Sequence, residues 1–236
     1  MKKIIYDLGA NNGDDIPYYL MKSDVVVAVE ANPVLCQGIR QRFLPQIEQG
    51  RVVVEHCVIT SDHEGVDVDF YIHKEDSVLS RFPKPDKAEI DCFEQVLLPS
   101  KTIKHVIAEH GTPFYIKIDI EHYDAEVLRA LWQEKILPPY ISAESHTIEV
   151  FSLLVSMGYL GFKLVDGQTV SRQYANRLIQ GPNGVVEYSF PFHSAGPFGN
   201  DVDGEWMTAD NFFHVLAAEG LGWKDIHASR VEDVGA

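Results

Sequence analysis

Residues 4–15, IIYDLGANNGDD, set the strongest constraint on how this chain folds: an apolar run stops at an acidic residue and opens into a loop carrying Gly9 and Gly13. Such a segment reads as a buried strand whose carboxyl end enters a turn where the backbone must bend or be approached closely. The next stretch, DDIPYYLMK, can be helical, and a second apolar run, VVVAVE, ends at Glu30. Strand, helix and strand make a βαβ unit. An acidic residue at the tip of its second strand is placed to accept the two hydroxyls of a ribose. An acidic turn on an ordinary α/β sheet would share the loop, but not the placement of Glu30.

The charge around the loop selects among nucleotide-type ligands. A dinucleotide loop, G-x-G-x-x-G, uses its middle glycine to let backbone approach a pyrophosphate. Here Asn11 and Asn12 follow Gly9-Ala10, and Asp7, Asp14, Asp15 and Glu30 flank the turn. Those carboxylates oppose a phosphate and suit a cation. S-adenosylmethionine, a sulfonium with an ammonium nearby, has that charge, and a nicotinamide dinucleotide fits less well.

Further strand-like runs fall at 51–59, 66–72, 113–120, 139–144, 160–166 and 184–190, with helical patterns between most of them. The alternation predicts an α/β fold with a mostly parallel sheet covered by helices on both faces. Helices are expected over 34–44 behind Pro33, over 101–110 between Ser100 and Gly111, from Asp124, whose carboxylate can cap DAEVLRALWQEK, and over HTIEVFSLLVSMG. Val127, Leu128, Leu131 and Trp132 are expected to face the sheet.

The segment 74–99 has no clean period and three prolines, so it reads as a loop-rich insertion of the kind that forms lids or substrate loops. Beyond residue 190 the chain is turn-rich, with a short helix from Thr208 to Glu219 and a last piece, GWKDIHA. The reading is therefore a domain over 1–190 and a C-terminal extension over 191–236, docked by aromatic residues.

A chain of 236 residues, 45% hydrophobic, buries one substantial core. Its net charge of −15, from 35 acidic and 20 basic residues, argues against a nucleic-acid partner and favours small or neutral ones. Cys36, Cys57 and Cys92 lack CxxC spacing and read as reduced thiols. Lys2 and Lys3 precede an apolar run too short for a signal peptide or membrane span, so the expectation is a cytoplasmic protein without membrane attachment.

A second chemical constellation lies in FYIKIDIEHYDAEVLRAL. Lys117 and Asp119 break the apolar rule for a central parallel strand, which happens at functional sites or where two charges form a buried pair. Ligands of open α/β sheets sit beyond the carboxyl ends of the strands, so Asp119, Glu121 and His122 should emerge beside Asp7, Gly9 and Glu30. Glu144 and His146 end the strand at 139–144 in the same neighbourhood. These groups have the oxygen donors a hard cation prefers, yet no spacing signature for a metal, and none is assigned. His193, His214 and His227 read as surface or packing residues, with His227 near enough to an acidic group to approach a substrate.

The pieces YDLGANNGDD, VVAVEANP, KIDIEHYDAEVLRAL and ISAES, with GPFGND and WKDIHA near the end, resemble the FkbM family of S-adenosylmethionine-dependent methyltransferases in order from about residue 4 to residue 228. The resemblance implies the class I methyltransferase fold, Rossmann-like, with seven strands of which one is antiparallel, and O-methylation of a hydroxyl on a small molecule or glycan. It implies that Asp7, Gly9, Ala10, Asn11 and Gly13 hold the methionine part of the cofactor, that Glu30 holds the ribose, and that Asn32 and the Ser61-Asp62 turn lie near adenine. Asp119, His122 and Glu121 are the candidate catalytic residues. The family's usual Lys-x-Asp-x-Glu-Gly appears here as KIDIEH, with His122 in place of glycine. That substitution narrows the crevice and leaves open a protein that binds the cofactor without turnover.

Overall fold

The computed structural model describes residues 2–231. Its centre is a seven-stranded sheet. Strands β1 (Ile4–Leu8), β2 (Val25–Val29) and β3 (Val52–Glu55) run parallel, interleaved with helices α1 (Ile16–Lys22), α2 (Pro33–Arg42) and α3 (Leu44–Glu48). A small sheet follows, made of β4 (Val58–Thr60), β5 (Asp67–His73) and β6 (Phe93–Thr102). The chain then returns through α4 (Ile103–His110), β7 (Tyr115–Ile118), α5 (Asp124–Gln133), β8 (Tyr140–Ser145), α6 (Ile148–Ser156) and β9 (Gly161–Asp166). Last come α7 (Val170–Gln173), the hairpin β10 (Arg177–Gly181) and β11 (Gly184–Tyr188), α8 (Ala209–Glu219) and β12 (Gly222–Ser229). The main sheet has the order β3-β2-β1-β7-β8-β12-β9, and only β12 runs antiparallel to its neighbours.

β1 and β2 are buried along their whole length, as apolar runs without alternation demand. One face packs Tyr6, Val27, Ile116 and Ile141 against α4, α5 and α6, and Phe212 of α8 joins that layer. The other packs Ile5, Val26 and Tyr115 against α1 and α2 and receives Phe190 and Phe198 from the segment after β11. Phe198 stacks on Tyr115 with centroids 4.1 Å apart.

Several local expectations are corrected. The run 51–59 is two strands in two sheets. Residues 93–99 of the expected loop belong to the long strand β6, which pairs antiparallel with β5 and parallel with β4. Helix α4 is capped by Thr102, whose hydroxyl accepts from the His105 N–H, while Ser100 is buried in β6. Asp124 opens α5 as its first residue with no side-chain cap, and Trp132 is 44% exposed rather than turned to the sheet.

The larger correction concerns the segment after residue 190. It is no extension docked on a finished domain, because its strand β12 completes the sheet between β8 and β9. Its pattern hid it: Asp225 and His227 point inward. They do so because a buried polar row crosses this face, with Asp7, Lys117, Ser142, His227 and Lys163 as successive cross-strand neighbours. Burial pushes the His227 imidazole down to about 3, with Lys163 adding to the effect, so it is a neutral packing group out of reach of any substrate. Among the described residues no helix is long and apolar enough to cross a membrane.

Candidate active site

The carboxyl ends of β1, β2, β7 and β8 open into one cleft of about 520 Å³. Its first wall is the loop after β1. Gly9 has φ +79°, and a Cβ there would sit 1.8 Å from the Asp119 carbonyl oxygen, so the loop can lie against the end of β7 only as glycine. Gly9, Ala10 and Asn11 line the cleft. Gly13 turns the chain behind them against Phe43 and Ile16.

Glu30 lies at the end of β2 and also lines the cleft. Its carboxylate accepts the Asn11 and Asn32 N–H groups, each at 2.7 Å. Burial raises its pKa to about 7 against the opposing pull of those two donors. Asn32 itself faces away: it is buried, and its side chain caps α2 by accepting from Val34 N–H at 3.0 Å. Asp62 is not at the cleft either, since its side chain is 74% exposed beside His63. The neighbouring Ser61 is instead tied to the Tyr123 hydroxyl through its backbone N–H at 3.2 Å and its hydroxyl at 2.9 Å.

Beneath the floor lies Lys117, 4% exposed, its ammonium 3.4 Å from Asp7, 3.2 Å from Asp119 and 3.9 Å from Asp15. It also donates to the Gly9 carbonyl at 3.2 Å. Although burial opposes its charge, the three aspartates hold Lys117 well above its ordinary range. Asp7 is fully buried below the cleft and is pushed up to about 7 by burial. Asp15 reaches the C-terminal segment, accepting from the Ser194 hydroxyl and from Ala195 N–H at 3.2 Å. The charges that break the apolar strand rule thus form one ionic knot that fixes the glycine loop after β1, β7 and the segment after β11.

Glu121 and His122 follow β7 at φ +50° and +67°, in the left-handed region. The position of His122 is where the resembling family carries glycine, and its backbone shows why glycine is at ease there. A side chain in that conformation costs about 1–2 kcal/mol. His122 lines the cleft, its ring 4.2 Å from that of His146. The His146 Nε2 lies 2.9 Å from Glu144 and 3.6 Å from Glu121. Burial, followed by the charges of Asp119 and Glu144, raises Glu121 to about 8, and burial with Asp119 raises Glu144 to about 8.

One contribution falls in the insertion read as a lid or substrate loop, and two escaped sequence reasoning. Residues 76–82 of the insertion run along the cleft, with Phe82 edge-on to Tyr123 at 5.2 Å. Tyr123 itself anchors that side. His193 and Trp223, stacked with centroids 6.2 Å apart, close the far end. No local motif marks these residues, because the cleft is assembled from segments distant in the chain.

A parallel sheet with one antiparallel strand next to its edge, and a glycine loop and acidic strand tip at its carboxyl ends, defines the class I methyltransferase fold. The chain belongs to the FkbM family: residues 7–160 match the Methyltransferase FkbM domain.

Among solved structures, the methyltransferase FkbM from Methylobacillus flagellatus KT is similar at 15% identity and a TM-score of 0.45, over 70% of this chain and 40% of that one. A precorrin-6y C5,15-methyltransferase from Geobacter metallireducens matches at 12% identity and TM-score 0.41, covering 70% of this chain and 66% of that one. An S-adenosylmethionine-dependent O-methyltransferase from Thermotoga maritima matches at 10% identity and TM-score 0.43, over 98% of this chain and 60% of that one. This chain spans less than half the length of the Methylobacillus protein. No curated protein matches it.

Proposed function

We propose that this protein is an S-adenosylmethionine-dependent methyltransferase acting on a hydroxyl of a small molecule or glycan. The observation that carries the reading is the cleft itself, lined by Gly9, Asn11 and Glu30 together with Asp119 and His122. The residues fit the cofactor by shape, since Gly9 lets the loop lie against the end of β7, where a Cβ would meet the Asp119 carbonyl, and Gly9, Ala10 and Asn11 line the cleft there. They fit it by charge as well: Asp14, Asp15 and Glu30 face the cleft and suit a sulfonium and an ammonium better than a phosphate.

S-adenosylmethionine supplies an electrophilic methyl group. The protein's share is to hold the acceptor oxygen in line and to take its proton. Glu30 is placed to accept the ribose hydroxyls, with its carboxylate already oriented by the Asn11 and Asn32 N–H groups. Asp119 is engaged by Lys117 at 3.2 Å, which leaves His122 the freer base at the acceptor end. We assign proton removal to His122 and orientation of the acceptor to Asp119 and Glu121.

Calorimetric titration with S-adenosylmethionine and S-adenosylhomocysteine tests the cofactor half. Micromolar binding that Glu30→Ala abolishes is the expected result, and no binding by the folded native protein overturns it. Turnover on a panel of hydroxyl acceptors, read by mass spectrometry, tests the rest. A base at this position contributes about 10²–10⁴-fold, so His122→Ala should lose that much turnover at normal cofactor affinity. Full turnover by both His122→Ala and Asp119→Asn would remove the assignment. Cofactor binding without turnover on any acceptor would favour an accessory role.

A further inference from the structure

We infer that Trp223, backed by Phe192 and set beside His193, is the residue that selects the acceptor, by stacking the apolar face of a neutral sugar ring. The inference rests on the methyltransferase reading and names the acceptor of that same cleft. Trp223 is the second residue of β12, which runs antiparallel, so it lies where β8 and β9 have their carboxyl ends. The order of the sheet puts β12 two strands from β7, which Asp119 and His122 follow, and four from β2, which ends beside Glu30. At about 4.8 Å per strand, that is about 10 Å across the sheet from β7 and about 19 Å from β2. Trp223 therefore stands on the side away from Glu30, within reach of an acceptor whose reacting hydroxyl meets His122.

The fold fixes this ring without covering it. Pairing of β12 with β8 is irregular between Gly222 and Asp225, and such a bulge re-aims the side chains it carries. A Cβ on Gly167 would lie 2.4, 2.5 and 2.7 Å from Nε1, Cε2 and Cδ1 of Trp223, so the indole lies flat on that glycine. The Gly167 N–H donates to the Trp223 carbonyl at 3.1 Å. Phe192 stands edge-on to the indole at 5.4 Å, and His193 lies near-parallel to it at 6.2 Å. Yet Trp223 is 36% exposed and Phe192 52%, and both Trp223 and His193 line the cleft. An aromatic surface held in place and left open at a cavity suits the apolar face of a ligand.

The rest of the lining decides what carries that face. Lys117 is the sole lysine or arginine among the described residues that line the cleft, and Asp7, Asp15 and Asp119 engage it. A phosphorylated, sulfated or carboxylated acceptor finds no free cation there. A wholly apolar or flat aromatic acceptor would cover Asp119, Glu121, Glu144 and His146 without exchanging hydrogen bonds with them, at a cost for each. A sugar ring meets both demands, its hydroxyls bonding to carboxyl and imidazole groups while its C–H face packs on the indole.

The test is saturation-transfer difference NMR on the full-length protein loaded with S-adenosylhomocysteine. The probes are the methyl glycosides of glucose, galactose and mannose, then maltose and lactose, with methyl glucuronoside and catechol as the anionic and flat aromatic counterparts. We expect at least one neutral sugar to bind in the millimolar range or tighter, and both counterparts to bind at least tenfold more weakly. Trp223→Ala should weaken that sugar at least about tenfold, as truncating a stacked aromatic anchor does, and Trp223→Phe should restore most of the affinity. Phe192→Ala, a change at an exposed ring, should weaken it in the same direction, which keeps the test open should Trp223→Ala not fold. Trp132→Ala, on α5 and outside the cleft lining, should leave it unchanged. Binding of no neutral sugar, binding that Trp223→Ala leaves intact in a folded protein, or a preference for catechol or the glucuronoside overturns the subsite. S-adenosylhomocysteine affinity should be equal in the native protein and Trp223→Ala. Its absence in the native protein counts against the methyltransferase reading, while sugar binding to the unloaded protein still reports on Trp223.

Discussion

Two groups of carboxylates lie side by side at the carboxyl ends of the sheet, and they are built in opposite ways. The floor cluster of Asp7, Asp15 and Asp119 surrounds a resident cation, Lys117, which is 4% exposed and bonded also to the Gly9 carbonyl. The rim cluster of Glu121, Glu144 and His146 has no such cation among the described residues. The floor is part of the fold, tying three distant segments together. The rim borders the cleft, and Glu121, Glu144 and His146 line it.

The sharpest way to break this contrast is to remove the floor's cation. Lys117→Met keeps the length and loses the charge, leaving Asp7 and Asp15 buried without their partner. Breaking a buried pair from one side costs about 3–5 kcal/mol. We expect urea unfolding at pH 7 to report a loss of that size. The deficit should narrow as pH falls, because protonated aspartates no longer need a cation. A loss under about 1 kcal/mol would mean that the floor is not held by its charges, in contradiction to the burial of Lys117, Asp7 and Asp15.

A second measurement compares the floor with Glu30 across the cleft, a buried carboxylate held by backbone N–H donors instead of a lysine. Burial raises its pKa from 4.5 to about 7. The folded state therefore binds this proton more tightly than the unfolded chain, and ionising Glu30 weakens the free fold as pH rises between those values. If Glu30 holds the ribose as proposed, cofactor binding runs the other way, since a ribose needs the ionised acceptor. At pH 6 the ionised fraction is about a tenth, so affinity for S-adenosylmethionine should be about tenfold lower than its plateau, or about 1.4 kcal/mol. Titrations from pH 6 to pH 8.5 should show this slope, and Glu30→Gln should flatten it.

The same division explains which parts of the molecule the sequence discloses. Strands β1, β2, β7, β8 and β9 are apolar runs bounded by turns, and their order in the chain carries the parallel core. The glycine loop and the acidic strand tip at Glu30 are equally readable, because a strand end and a glycine turn are local features. β12 is not, since Asp225 and His227 occupy inward positions on a face whose polar row exists only once five strands are side by side. Lys117 and Asp119 stand out in sequence, but their partner Asp15 and its ties to Ser194 and Ala195 are settled by packing. His193, Trp223 and residues 76–82 reach the cleft by tertiary assembly alone.

The smallest expected effect probes the rim, and its sign matters more than its size. Glu144→Gln preserves shape and an acceptor oxygen while removing one of three carboxylates, those of Asp119, Glu121 and Glu144, whose donor atoms lie within 4.8 Å of one another. In the floor, removing a charge strands its partner. In the rim it relieves repulsion from Asp119, which outweighs the attraction of Glu144 to Lys117. At pH 8 and low salt, stability should be unchanged or rise by up to about 1 kcal/mol, the range open to a substitution that breaks no packing and no compensated pair. Added salt should shrink any gain, since the relieved repulsion acts partly through solvent at the cleft mouth. A loss above about 2 kcal/mol would place Glu144 among the structural charges and erase the distinction between the two clusters.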